Sequence, residues 1–254
     1  MRLLRAASIS FMHPIGYYAR QIPEAGIFDA YPGNRNFDNV GRVLKEGLKF
    51  LGPKVEEKMN IKPFGGTTFF PFYLLTKNPV KSFEDIKGLR IRASGGILPY
   101  LIEALGASVI SMRTTEVYKA LKNGMVDGVL RNLSSFSEFK EDKFCTYGVD
   151  IPLHVAGTPI FIGLKRWDTL DKTQKNAILD AADEITVEAV KYWEKRNDEL
   201  MKKEIAKGII LFNPPPEFKA KWNILMAEAD REGARKMSPD GADEIVEIIE
   251  KYTK

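Results

Sequence analysis

Cysteine and histidine are almost missing from this chain: Cys145 is the single thiol, and His13 and His154 are the two imidazoles. An intramolecular disulfide is excluded, and so is any metal site built from the usual set of Cys and His ligands. Carboxylates are plentiful and leave an all-oxygen cation site open, but the D-x-D-x-D-G spacing of a calcium loop does not occur. Phosphate loops of the G-x-x-x-x-G-K-S/T and G-x-G-x-x-G kinds are absent, as is the G-x-S-x-G elbow that a serine hydrolase would pair with a histidine. No nucleophile–base or metal constellation stands out, so the residues give catalysis little support and no cofactor is expected. Basic blocks are missing too. The net charge is +4, and cations alternate with acids in stretches such as EKRNDELMKKE, which leaves no nucleic-acid footprint. No apolar run approaches the ~18 residues of a spanning helix. The opening MRLLRAASISFMHP, with Arg2 and Arg5 ahead of a broken apolar run, is a poor signal peptide, which taken alone argues for the cytoplasm.

What is present suits a soluble globular protein of one large or two modest domains: 254 residues, 44% hydrophobic and 28% charged. Residues 14–34 carry Pro14, Gly16, Pro23, Gly26, Pro32 and Gly33, which reads as turn-rich punctuation. Apolar residues at helical spacing predict a helix over 36–51 stopped by Gly52-Pro53, then a short helical piece at 55–59. A strand at 61–64 and the aromatic run at 67–76 follow, with Pro71 as an edge or bend. Strands at 89–93, 108–111 and 125–131 alternate with helices at 97–105 and 115–123, the order of βαβ units around a largely parallel sheet. Another strand is expected over 158–164. Asp171 and Gln174 have capping-box spacing ahead of a long helix to about Lys207. A short strand at 209–212, three prolines and two terminal helices close the chain.

The densest signal runs from Lys81 to Asn132: KSFEDIKGLRIRASGG, LIEALGAS, EVYKALKNGMVDG and VLRN. Arg90 and Arg92 share a strand face, and Ser94-Gly95-Gly96 follows at once. A solvated strand face is the plain reading of these arginines. The functional one is a guanidinium fork beside backbone N–H groups, beyond the carboxyl end of a strand, where open α/β sheets take ligands. This order of parts resembles the solute-binding proteins of tripartite ATP-independent periplasmic (TRAP) transporters, the dicarboxylate-binding, DctP-like family. The resemblance runs from about Pro23 to the C-terminal helices.

That resemblance implies a two-lobed α/β fold of the periplasmic-binding type, type II-like, with a long inter-lobe helix. Lobe I would use 1–70 and 157–196, and lobe II 71–156 and 197–254. It implies that Arg92 grips the carboxylate of a small organic acid, with Ser94 and Gly95 beside it and Thr114 in the pocket. Arg131 and Asn132 stand where many members carry a ligand-touching acid or amide. Arg131 would then meet a second carboxylate or a sulfonate, or else be a surface arginine. Phe72 stands where some members, the sialic-acid binders among them, have a second arginine, so it is either an apolar pocket wall or core. The front of the family pattern has no counterpart, which suggests an N-terminally shortened chain with an incomplete first lobe. The expected setting is the periplasm, with TRAP permease membrane subunits as partners, no nucleic acid, and a monomer. The rivals are an enzyme on a similar fold, with Cys145 as its thiol, and an orphan regulatory module. His154, in IPLHVAG, reads as a packed histidine.

Overall fold

A computed structural model gives the fold over residues 9–11, 21–30 and 37–253. His13, Pro14, Gly16, Pro32 and Gly33 lie outside the described residues. The strands are β1 (Ile9–Phe11), β2 (Ile61–Thr76), β3 (Arg90–Ala93), β4 (Ser108–Ser111), β5 (Gly128–Asn132), β6 (Tyr147–Val149), β7 (His154–Gly163) and β8 (Ile210–Phe212). The helices are α1 (Pro23–Ala30), α2 (Phe37–Met59), α3 (Leu98–Ala104), α4 (Thr114–Lys122), α5 (Leu133–Glu138), α6 (Leu164–Asp168), α7 (Lys172–Ala206), α8 (Pro216–Met237) and α9 (Ala242–Thr253).

The strands form one sheet in the order β1-β7-β2-β5-β3-β4, with β6 joining β2 to β8. β3 runs parallel to both β4 and β5, as alternating strands and helices require. β2 is antiparallel to β7 from Ile61 to Phe72 and to β5 from Phe72 to Thr76. It is one 16-residue strand rather than two pieces. Register shifts fall between Pro63 and Gly65 and between Thr68 and Pro71, so the prolines sit where the ladder is already irregular.

Alternation along the strands divides the core in two. Leu74, Ile91 and Leu130 face a cluster completed by Val43 and Leu51 of α2, Leu101 of α3, Trp222 and Met226 of α8, and Ile245 of α9. Tyr73, Leu75 and Val129 face the other, with Val117 and Leu121 of α4, Phe136 of α5, Cys145 and Leu200 of α7. The helix at 37–59 passes through Gly52-Pro53 without stopping, against expectation. Leu51, Val55 and Met59 are all buried, and this packing outweighs the hydrogen bond that proline removes. Likewise 23–30 is helical, not a turn: Pro23 occupies the first helical position, and Ile22, Ala25 and Ile27 are fully buried.

α7 lies along β2 and reaches both of its ends. Near its start Thr186 Oγ1 donates to the Gly66 carbonyl (2.7 Å), and Lys45 of α2 pairs with Asp183 (2.7 Å). Further on, Asn197 Nδ2 donates to the Tyr73 hydroxyl (3.1 Å). Past its end Lys207 donates to Ser137 (2.6 Å) and Asp142 (3.1 Å). The Asp171 cap holds as expected, accepting from Gln174 N–H at 2.9 Å.

The start of α7 can sit this close because Gly65 has no side chain. A Cβ there would stand 2.5 Å from Ala182 Cβ, inside van der Waals contact. Gly65→Ala should therefore lower stability by about 1–3 kcal/mol in urea unfolding. Ala182→Gly in the same chain should recover part of that loss despite the helix propensity it gives up.

Candidate functional site

The parallel strands β3, β4 and β5 end together, at Ala93, Ser111 and Asn132. Their carboxyl ends bring Ser94-Gly95, Thr114 and Asn132 to one edge of the sheet. Arg92 is 5% exposed, although only Ala93 separates it from the loop. Its Nη2 donates to the Met112 carbonyl at 3.1 Å and lies 3.5 Å from Thr114 Oγ1, the first residue of α4. The guanidinium is thus held at the mouth of the β4–α4 connection. Arg90, on the same face two residues earlier, is exposed. It donates both arms of its fork to Asp127 at 2.9 and 2.7 Å, and Asp127 also accepts its backbone N–H. Arg90 holds the Asp127 carboxyl below its usual range, chiefly through the side-chain hydrogen bond.

Asn132 is buried, and its Oδ1 accepts from Ser135 N–H at 2.8 Å, capping α5. Phe72 is directly opposite Asn132 on one side and His154 on the other. Its ring stacks on the His154 imidazole with centroids 4.4 Å apart and planes at 27°. Phe72 is half-buried and packs on the cluster of Leu74 and Leu130, on the sheet face opposite Arg92. His154 was expected to be a packed histidine and is buried (2%), but it also belongs to this row. Only the strand pairing reveals that, because Phe72 and His154 are far apart in sequence.

One expectation needs correction. Arg131 is no surface arginine and no spare cation. It is buried, its Nε donates to Glu141 Oε2 at 2.9 Å, and its Nη2 donates to the other oxygen of the same carboxylate. The Phe139 ring lies 5.7 Å from its guanidinium carbon. Ser94-Gly95-Gly96 lie ahead of the helix expected over 97–105. α3 starts at Leu98 behind Ile97, has seven residues and carries Pro99 in its first turn. Any anion here would meet the N–H groups of the loop itself.

The GMVDG signature is structural. Gly124 takes the left-handed conformation (φ 70°) that ends α4. A Cβ on Gly128 would stand 2.5 Å from the Leu75 carbonyl oxygen, so only glycine lets β5 approach β2. A groove of about 700 Å³ lies elsewhere, between α2, α6, α7 and the first half of β2, with Leu44, Leu48, Phe64 and Trp167 among its walls. It includes none of the candidate residues.

A sheet of this connectivity, with a buried arginine at the shared carboxyl ends and a helix spanning both ends of its longest strand, has the fold of the two-lobed periplasmic binding proteins. The chain belongs to the bacterial extracellular solute-binding protein family 7 (DctP), whose pattern matches residues 1–236. Solute-binding proteins of Chromohalobacter salexigens and Sulfitobacter sp. are 24% and 28% identical over 161 and 155 residues, 62% and 59% of this chain. Those stretches are 48% and 46% of the relatives' lengths, so the chain spans about half the length of the curated relatives it matches. Among solved structures, a Bordetella pertussis extracytoplasmic solute receptor binding pyroglutamic acid superposes with a TM-score of 0.80 at 18% identity, covering 98% of this chain and 82% of that one. A TRAP periplasmic solute-binding protein of Roseobacter denitrificans with bound β-D-glucuronate gives 0.80 at 22% identity, covering 99% and 83%.

Cys145, the one thiol, is fully buried, and burial with the Glu141 charge beside it pushes its pKa up to about 12. At pH 8 roughly one molecule in ten thousand would carry a thiolate. In the folded protein a colorimetric disulfide reagent should label Cys145 slowly or not at all, and completely once urea unfolds the chain.

Proposed function

We propose that this chain is the solute receptor of a TRAP transporter, working outside the cytoplasmic membrane. It takes a small organic acid into a cleft between two lobes and hands it to the membrane permease subunits. The observation that carries this reading is Arg92: a nearly buried guanidinium at the carboxyl end of a central parallel strand, beside a hydroxyl and a loop of small residues. That is where an open α/β sheet takes an anion. Ser94, Gly95 and Thr114 would complete the carboxylate grip. The Asn132 amide donor and the Phe72–His154 stack would meet the rest of the ligand. Pyroglutamic acid and glucuronate, bound in the structural neighbours, are acids of this kind.

The lobes are proposed as 1–70 with 157–196, and 71–156 with 197–254. Two features support this division: pairing with β7 ends and pairing with β5 begins at Phe72, and α7 touches first one half and then the other. Closure would bend the strands and helix that cross over. No enzymatic role is proposed, since the sole thiol is sealed in the core.

Calorimetry against a panel of organic acids, glucuronate and pyroglutamate included, tests the assignment. Loss of a buried charge partner costs about 2–5 kcal/mol, so Arg92→Ala should weaken binding roughly 30-fold or more. Arg92→Lys should also weaken it, because an ammonium keeps the charge but not the fork. Arg90→Ala loses only its exposed pair with Asp127 and should leave affinity within about threefold. Equal, small effects from Arg92→Ala and Arg90→Ala would refute the site.

A further inference from the structure

The register places a second arginine beside Arg92. β3 and β5 are parallel with Arg92 opposite Val129, so Arg131, two residues further along β5, points to the same face one diagonal step away. Such diagonal neighbours are about 7–8 Å apart, within reach of one bound di-acid. Whether Arg131 can serve a ligand depends on its present partner. Both fork arms it presents go to Glu141, and the Phe139 ring covers one side of the guanidinium. Arg131 is 5% exposed and Glu141 0%. Glu141 is itself fixed, since its carbonyl accepts from Phe144 N–H (3.0 Å) and Cys145 N–H (3.1 Å). Drawing Arg131 away would strand a carboxylate with no access to water, a penalty worth a hundredfold or more in affinity.

We propose that the Arg131–Glu141 pair sets the ligand class of this site: it admits an acid with one carboxylate and a neutral remainder, and it rejects dicarboxylates. Glu141 is the specificity-determining residue, because it occupies the fork that a second carboxylate would take and cancels the charge that would attract it. The inference rests on the Arg92 reading above and names the ligand class for the same site.

Pairs of acids that differ by one carboxylate test it on the whole chain: gluconate against glucarate, glycerate against tartronate, butyrate against succinate. The native protein should bind the mono-acid of a pair at least tenfold more tightly by calorimetry. Glu141→Gln keeps the shape and a hydrogen bond but releases the charge. It should hold mono-acid affinity within about threefold and move the ratio at least tenfold toward the di-acid. The double variant Arg131→Met/Glu141→Leu restores neutrality with apolar groups of similar size, so its ratio should stay within about threefold of the native one. A native preference for di-acids overturns the proposal, as does an unchanged ratio in Glu141→Gln or a shifted ratio in the double variant. In those cases the Arg92 assignment survives if Arg92→Lys still weakens the bound acid. Binding of no carboxylate at all removes both.

Discussion

The fold hangs on one strand that pairs with three others along its two edges. β2 needs hydrogen-bonding neighbours along its whole length, because unpaired backbone in a buried sheet is costly. β7 supplies them along one edge up to Phe72, where β6 follows at Leu75 and Thr76, and β5 pairs the other edge from Phe72 to Thr76, so Phe72 is opposite both His154 and Asn132. On the β7 side, α1, α2, α6 and α7 pack on the strands. On the β5 side, one face of the sheet packs with α4, α5 and the end of α7 and the other with α2, α3 and α8. The terminal helices then bridge the halves: α8 packs on α1 and α3, and α9 packs on α2. The change of partners at Phe72 lies beside Asn132, at the carboxyl end of β5.

Close approach makes this strand possible. Gly65 admits the side of α7 at Ala182, Gly66 faces Leu44 of α2, and Gly128 admits β5 to the Leu75 carbonyl. Glycines at these three points let α7, α2 and β5 approach β2 closely, and the large side chains of the two clusters fill the space around them. The price in loop irregularity is small: the two register shifts of β2 fall next to Pro63 and Pro71, which could not have donated to the ladder in any case.

Much of this was legible in the sequence where local patterns carry the information. The βαβ order over 89–131 and the Asp171 cap depend on residues a few positions apart, and they stand where the pattern puts them, although the last strand is Gly128–Asn132 rather than 125–131. The misreadings share one cause, which is packing with residues remote in sequence. Gly52-Pro53 looks like a stop until Leu51, Val55 and Met59 are seen buried together. Pro23 and Gly26 look like a turn until Ile22 and Ile27 are seen in the core. His154 could not be linked to Phe72 by any spacing rule, because a cross-strand pair is fixed by register alone. Arg131 was flagged as a departure from its relatives, but Glu141 lies ten residues on, past a helix, and no periodicity joins them.

Three arginines on two neighbouring strands show how the fold, and not the residue type, assigns a role. Arg90, Arg92 and Arg131 share one face of the sheet. Arg90 stands at the open start of β3, where Asp127 clamps it in solvent and the pair pins the turn before β5. Arg131 stands under Phe139, where only a fully enclosed carboxylate could compensate its burial, and Glu141 provides it. Arg92 lies between them, as buried as Arg131, yet its arm reaches a carbonyl and a hydroxyl at the end of β4, at the edge where the loops leave the sheet. Its place is set by the end of β4, where that strand gives way to α4. On the proposal that Arg92 holds the acid, the ligand's charge would be met at the end of β4 and the start of α4, beyond the carboxyl ends of the parallel strands.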